Sequence, residues 1–179
     1  MDTNRTQKLF TPVNLGAIQL GHRVVMAPLT RSRATLPGNV PNNLMAKYYR
    51  QRASYGGLII GEATNISPSS RGWLGAPGLF TGEQVAGWRK VIDAVHGNGG
   101  HMVAQLWHNG RSSHIEISGS QPVSASVNPA FWQSPEILVS APGGWIQPSP
   151  HRSLALGEIP GIGVYRPITH EAHPNCAIG

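Results

Sequence analysis

The sequence predicts an α/β protein in which short parallel strands are joined by crossover helices. Three runs, 23–28, 58–63 and 101–107, read as buried strands, because each is short and largely apolar, the first two with β-branched residues. The stretches between them have helical character. The resulting order of strand, helix, strand, helix, strand is that of successive β/α units, each of roughly 30 residues or more.

The elements follow in order along the chain. Residues 10–21 carry extended pieces around Asn14, Gly16 and Gly21, the pattern of a small hairpin. The first strand closes at Pro28, and 35–41 is a loop rich in Pro, Gly and Asn. Leu44, Met45, Tyr48 and Tyr49 mark an amphipathic helix over 43–53, with Gly56 and Gly57 where a helix C-terminus favours glycine. The second strand leads into a loop over 65–80. Thr81 and Gln84 fit a capping box, and the helix they open sets Val85, Trp88, Ile92 and Val95 on one face before Gly99 and Gly100 stop it. Beyond Trp107 the pattern breaks. Residues 108–150 repeat Pro, Ser and Gly, and are too many for an ordinary connection unless functional. His108 and His114 read as solvated loop histidines, Arg111 as holding that loop through backbone carbonyls, and 154–165 as a further short helix.

Composition narrows the function. The chain has 179 residues, 40% of them hydrophobic, enough for a soluble domain with a real core. Charged residues are 12%, against roughly 25% in ordinary soluble domains, and 22 Gly with 15 Pro imply much loop. Few charges and many loops suit a chain that contributes buried surface to something larger. The net charge of +6 invites a nucleic-acid partner, but Arg31 and Arg33, Arg50 and Arg52, and Arg89 and Lys90 are scattered, with no aromatic–basic interleaving. An anionic ligand explains the bias equally well. The single cysteine, Cys176, rules out an internal disulfide and suits a reducing compartment. No apolar leader opens the sequence and no run approaches the ~18 apolar residues of a spanning helix, so a cytoplasmic protein without a membrane partner is expected.

Parallel β/α proteins bind ligands at the C-terminal ends of their strands. Here those ends are Ala27-Pro28-Leu29-Thr30, Glu62-Ala63-Thr64 and Gln105-Leu106-Trp107-His108. Each mixes hydrogen-bonding groups with flat or apolar ones, as a planar heteroaromatic ligand with polar edges requires. Gln105, polar within an apolar run, is expected to be buried and in need of partners. Taken alone, Thr30 reads first as a strand-end cap, and Trp73 and Trp107 as core or surface packing residues.

Six stretches, Leu9-Phe-Thr-Pro12, Arg23-Val-Val-Met-Ala-Pro-Leu-Thr-Arg31, Tyr48-Tyr-Arg-Gln-Arg-Ala53, Gly61-Glu-Ala-Thr64, Ala76-Pro-Gly78 and Gln105-Leu-Trp-His-Asn-Gly-Arg111, resemble the Old Yellow Enzyme family. Within it the likeness is to bacterial alkene and N-ethylmaleimide reductases, and it runs almost without gaps from Leu9 to Tyr165. The resemblance implies the N-terminal part of a (β/α)8 TIM barrel preceded by a hairpin, an incomplete barrel. It implies FMN as cofactor, NADH or NADPH as hydride donor, and an electron-poor alkene as substrate. By position, Ala27, Pro28, Leu29 and Thr30 would lie against the isoalloxazine ring, Ala63 near its edge and the Gln105 amide on its pyrimidine side. Trp107 would face the substrate, with Trp73 on a loop beside it. The family's histidine pair, tyrosine proton donor and phosphate site find no match in this sequence, so no catalytic residue is assigned.

Residues 1–165 therefore read as the N-terminal half of a flavin oxidoreductase barrel and 166–179 as a divergent tail. That tail has the look of an unrelated reading frame, and the expectation is a truncated or frame-disrupted product with weak or no turnover alone. The chain would pair with its own copy or a complementing half-barrel, or else act as a non-catalytic interaction module. His170, His173 and Cys176 offer three metal ligands, but a fourth is missing and Pro174 disrupts a helix, so no metal is expected.

Overall fold

A computed structural model of the chain describes residues 8–154. Strands β1 (Val13–Leu15) and β2 (Ile18–Leu20) form the expected antiparallel hairpin, with Val13 opposite Leu20 and Gly16 supplying the left-handed turn at φ 57°. The frame follows as β3 (Val25–Met26), α1 (Asn43–Arg50), β4 (Leu58–Asn65), α2 (Gly82–His96) and β5 (His101–Trp107). The three strands make a parallel sheet in the order β3-β4-β5. Met26, Ile59 and Met102 stand abreast in register and meet Met45, Tyr49, Trp88, Val91 and Val95 from the two helices. The core is thus the helix-facing side of the sheet.

One irregularity decides the side-chain directions. Ile60 pairs with Val103, but the next pair is Ala63 with Gln105, so β4 carries one residue more than β5 over this interval. The bulge returns Glu62 to the helix side, where it meets Tyr49, and leaves Ala63 on the side that Gln105 occupies. Beyond Met26 the first strand leaves the ladder, two residues short of the predicted Pro28. Its path is set instead by the Arg31 N–H, which donates to the Glu62 carboxylate at 3.0 Å.

Both helices differ in detail from expectation. Asn42 caps α1 by accepting from the Leu44 and Met45 N–H groups, but the helix ends at Arg50 with Gln51 as its C-cap. The glycine pair does not cap it. Gly56, at φ 67°, lies so near Gly21 that a β-carbon would come within 2.5 Å of the Gly21 nitrogen, and this close approach docks the hairpin on the frame. The capping box of α2 is present, while its buried face is Gln84, Gly87, Trp88, Val91 and Val95, and Val85 is exposed. The face is rotated because Gly87 admits the Pro41 carbonyl, and Gln84 reaches the carbonyl of Gly38.

Residues 108–150 are not a bare connection. They hold α3 (Ile115–Ser118), β6 (Val123–Ser124), α4 (Pro129–Gln133) and a hairpin of β7 (Val139–Ala141) with β8 (Gly144–Ile146); β9 (Arg152–Ser153) pairs in parallel with β6. His114 is the N-cap of α3, and Arg111 stacks 4.7 Å from the Phe131 ring, with no bond to a carbonyl among the described residues. The helix expected over 154–165, the boundary at 165/166 and the tail with His170, His173 and Cys176 lie outside the described residues.

Candidate functional site

The strand ends come together as the parallel sheet requires. Ala63 and Gln105 are cross-strand partners, and Asn65 pairs with Trp107 two residues further. Met102 faces the helices, so the two-residue period puts Val103, Gln105 and Trp107 on the opposite face. Ala27 is the residue after Met26 at the end of β3, with Pro28, Leu29 and Thr30 beyond it. The sheet order thus sets the 27–30 segment, Ala63 and Gln105 at the same end of three neighbouring strands.

Their environments differ. Leu29 is 55% exposed and Ala63 only 6%. Gln105 is exposed, which corrects the expectation of a buried amide: β5 is the outer strand of the sheet and nothing among the described residues covers it. Its carboxamide and the half-buried Thr30 hydroxyl have no hydrogen-bonding partner among the described residues, so both are free to engage a ligand. The residue types are those a flavin ring requires: an amide with donor and acceptor in one plane, a hydroxyl, and small or apolar side chains. Trp107 is half-buried on the same strand. Trp73 stacks edge-to-face on Trp145 with centroids 5.3 Å apart, and no ring contact with Trp107 is present among the described residues.

The residue that sequence reasoning passed over is Glu62. It is fully buried, its carboxylate accepts from the Arg31 N–H at 3.0 Å and the Tyr49 hydroxyl at 3.1 Å, and its own N–H donates to Tyr49 Oη at 2.9 Å. Burial holds its carboxyl above the usual value of 4.5, partly offset by those bonds and by the Arg31 charge. Glu62 thus fixes the segment that bears Leu29 and Thr30 against β4. An acid inside a β/α strand end was the available signal, since a buried carboxylate needs such partners.

The rims after β4 and β5 are joined. Asn109 N–H donates to the Ser70 carbonyl at 3.0 Å, Ser113 Oγ to that of Arg71 at 2.6 Å, and Arg71 Nη2 to that of Ser118 at 3.4 Å. Asn109 also bonds the Ser112 carbonyl and packs where a side chain at Gly72 would stand.

Comparison with known proteins bears on the family and the fold. The chain is 44% identical over 158 residues to 12-oxophytodienoate reductase 7 of Oryza sativa, covering 86% of this chain and 39% of that one. It is 49% identical over 124 residues to flavin oxidoreductase hxnT of Emericella nidulans, covering 67% and 32%. Among solved structures, morphinone reductase superposes with a TM-score of 0.76 at 48% identity, and the old yellow enzyme homologue of Zymomonas mobilis with 0.78 at 46%. Each match covers 86% of this chain and 41% of the other, so the chain spans about two fifths of these barrels. FMN with NADH or NADPH is the cofactor pairing of such enzymes, and one morphinone reductase structure is a complex with tetrahydroNAD. With residues 8–141 matching the family model as well, the chain belongs to the NADH:flavin oxidoreductase / NADH oxidase family, as part of a (β/α)8 barrel.

Proposed function

We propose that the chain forms the flavin-facing N-terminal part of an FMN-dependent NAD(P)H oxidoreductase that reduces activated C=C bonds. The observation that carries the reading is the pairing of Ala63 with Gln105, whose free amide stands across the sheet from the 27–30 segment. Bound FMN would supply the redox chemistry, taking hydride from NADH or NADPH and delivering it to an electron-poor alkene. The chain's own residues would do the rest. Gln105 offers donor and acceptor to the pyrimidine edge, and Thr30 donates a hydrogen bond where negative charge develops. Ala27, Pro28, Leu29 and Ala63 supply the apolar bed. Trp107, with Trp73 on the neighbouring loop, walls the substrate side and excludes water.

The 179-residue chain by itself would hold only part of the flavin surface, with weak or no turnover, in the cytoplasm. The test is a fluorescence titration of FMN with the purified chain, followed by NADPH-dependent reduction of 2-cyclohexenone. Saturable flavin binding with little enone reduction is expected; absence of any flavin affinity, alone or with the C-terminal part of a relative added, sinks the reading.

A second reading is favoured by one observation. Among the described residues the outer strands of the sheet have unpaired edges, and Val24, Val25, Leu29 and Leu106 are exposed around them. A self-associating, non-catalytic module would use those edges. Gel filtration monitored at about 450 nm separates the two, because only the enzyme reading puts flavin absorbance in the protein peak.

A further inference from the structure

On the helix side of the sheet, away from the flavin face, a cleft of about 390 Å³ opens between α1 and the segment after β3. Four cations line it: Arg31, Arg33, Lys47 and Arg52. None forms an ion pair with an acid within 4.0 Å among the described residues. The one acid lining the cleft, Glu62, is fully buried, and its two oxygens already accept from the Arg31 N–H and the Tyr49 hydroxyl. Four like charges around one concavity repel each other, and an anion between them relieves that repulsion.

Two of the cations are held in place. The Arg52 guanidinium stacks 3.7 Å from the Tyr48 ring centroid and donates to the Tyr48 carbonyl at 2.8 Å, while Arg31 lies 5.7 Å from the same ring. A guanidinium fixed on an aromatic face presents its fork to phosphate oxygens with little entropy left to lose. The volume lies in the range of small-ligand clefts, roughly 300–1,000 Å³. We propose that this cleft binds a diphosphate anion, either free or as part of a nucleotide. The proposal is independent of the flavin reading.

Calorimetric titration of the 179-residue chain with inorganic pyrophosphate at low salt tests it. One saturable site is expected, and charge reversal at the exposed pair R33E/K47E lowers its affinity at least about tenfold. The exposed pair R89E/K90E on α2 changes the net charge equally, and is expected to leave affinity within about twofold. Circular dichroism verifies that both variants stay folded. ADP binding tighter than pyrophosphate makes a nucleotide the ligand; equal or weaker binding makes it free diphosphate. No saturable heat from the unmodified chain, or equal losses in the two double variants, overturns the proposal.

Discussion

The Tyr49 hydroxyl and Glu62 are bound to each other twice: Oη donates to the carboxylate at 3.1 Å and accepts from the Glu62 N–H at 2.9 Å. One phenol thus satisfies a buried acceptor and a buried donor at the strand bulge, and ties α1 to β4. Tyr49→Phe leaves the Glu62 N–H unpaired in a low-dielectric setting and takes one donor from its carboxylate. A loss of roughly 1–3 kcal/mol is expected, read from the urea unfolding midpoint, since stranded buried polar groups cost about that much.

Glu62 also links stability to pH. Its folded-state value lies above the usual 4.5 because burial penalises the charged form. The folded chain therefore holds this proton more tightly than the unfolded chain, so stability falls as pH rises from below 4.5 through the folded-state value. Glu62→Gln removes that dependence. Unfolding curves across this range are expected to show the wild type losing ground to the variant as pH rises; parallel curves count against it.

His151 behaves in the opposite sense. Its ring is buried beside Phe131 and Trp132, and Nε2 accepts from the Asn128 N–H at 3.1 Å. Burial pulls its pKa below 6.5, with Arg111 adding to the shift. The contribution is present above 6.5 and is lost as pH falls through the folded-state value. The NMR titration midpoint of His151 should lie below 6.5, and His151→Gln should blunt acid destabilisation.

Gly56 and Gly82 make a matched pair. Alanine at Gly56 would need a positive φ and meet the Gly21 backbone at 2.5 Å, whereas at Gly82 nothing lies within 4 Å. Gly56→Ala should cost more than about 1 kcal/mol, and Gly82→Ala should be neutral or stabilising by less than ~1 kcal/mol, both by thermal melts.

At the proposed flavin face, Gln105→Ala removes two exposed hydrogen-bonding groups without touching the core. FMN affinity is expected to fall about tenfold with the melting temperature unchanged, as loss of a ligand hydrogen bond or two predicts. An unaltered affinity would remove Gln105 from the site.

The frame was legible because its signals are local. Strand β5 was read end to end, and the Thr81–Gln84 box opens α2 where the sequence placed it. Faces and partners were less legible because they depend on distant contacts. Val85 looked buried on spacing alone, but Gly87 gives way to Pro41 and turns the helix. Gln105 looked buried because apolar neighbours surround it in sequence, while its exposure follows from the place of β5 at the edge of the sheet. The role of Glu62 depends on a bulge that no spacing rule exposes.

The bonds from Asn109 to Ser70 and from Ser113 to Arg71 have a mechanical result. Two turns separated by some forty positions along the polypeptide behave as one lip, so Trp73 cannot be carried outward without dragging the backbone just past Trp107. Were this lip to open, the two tryptophans would shift together.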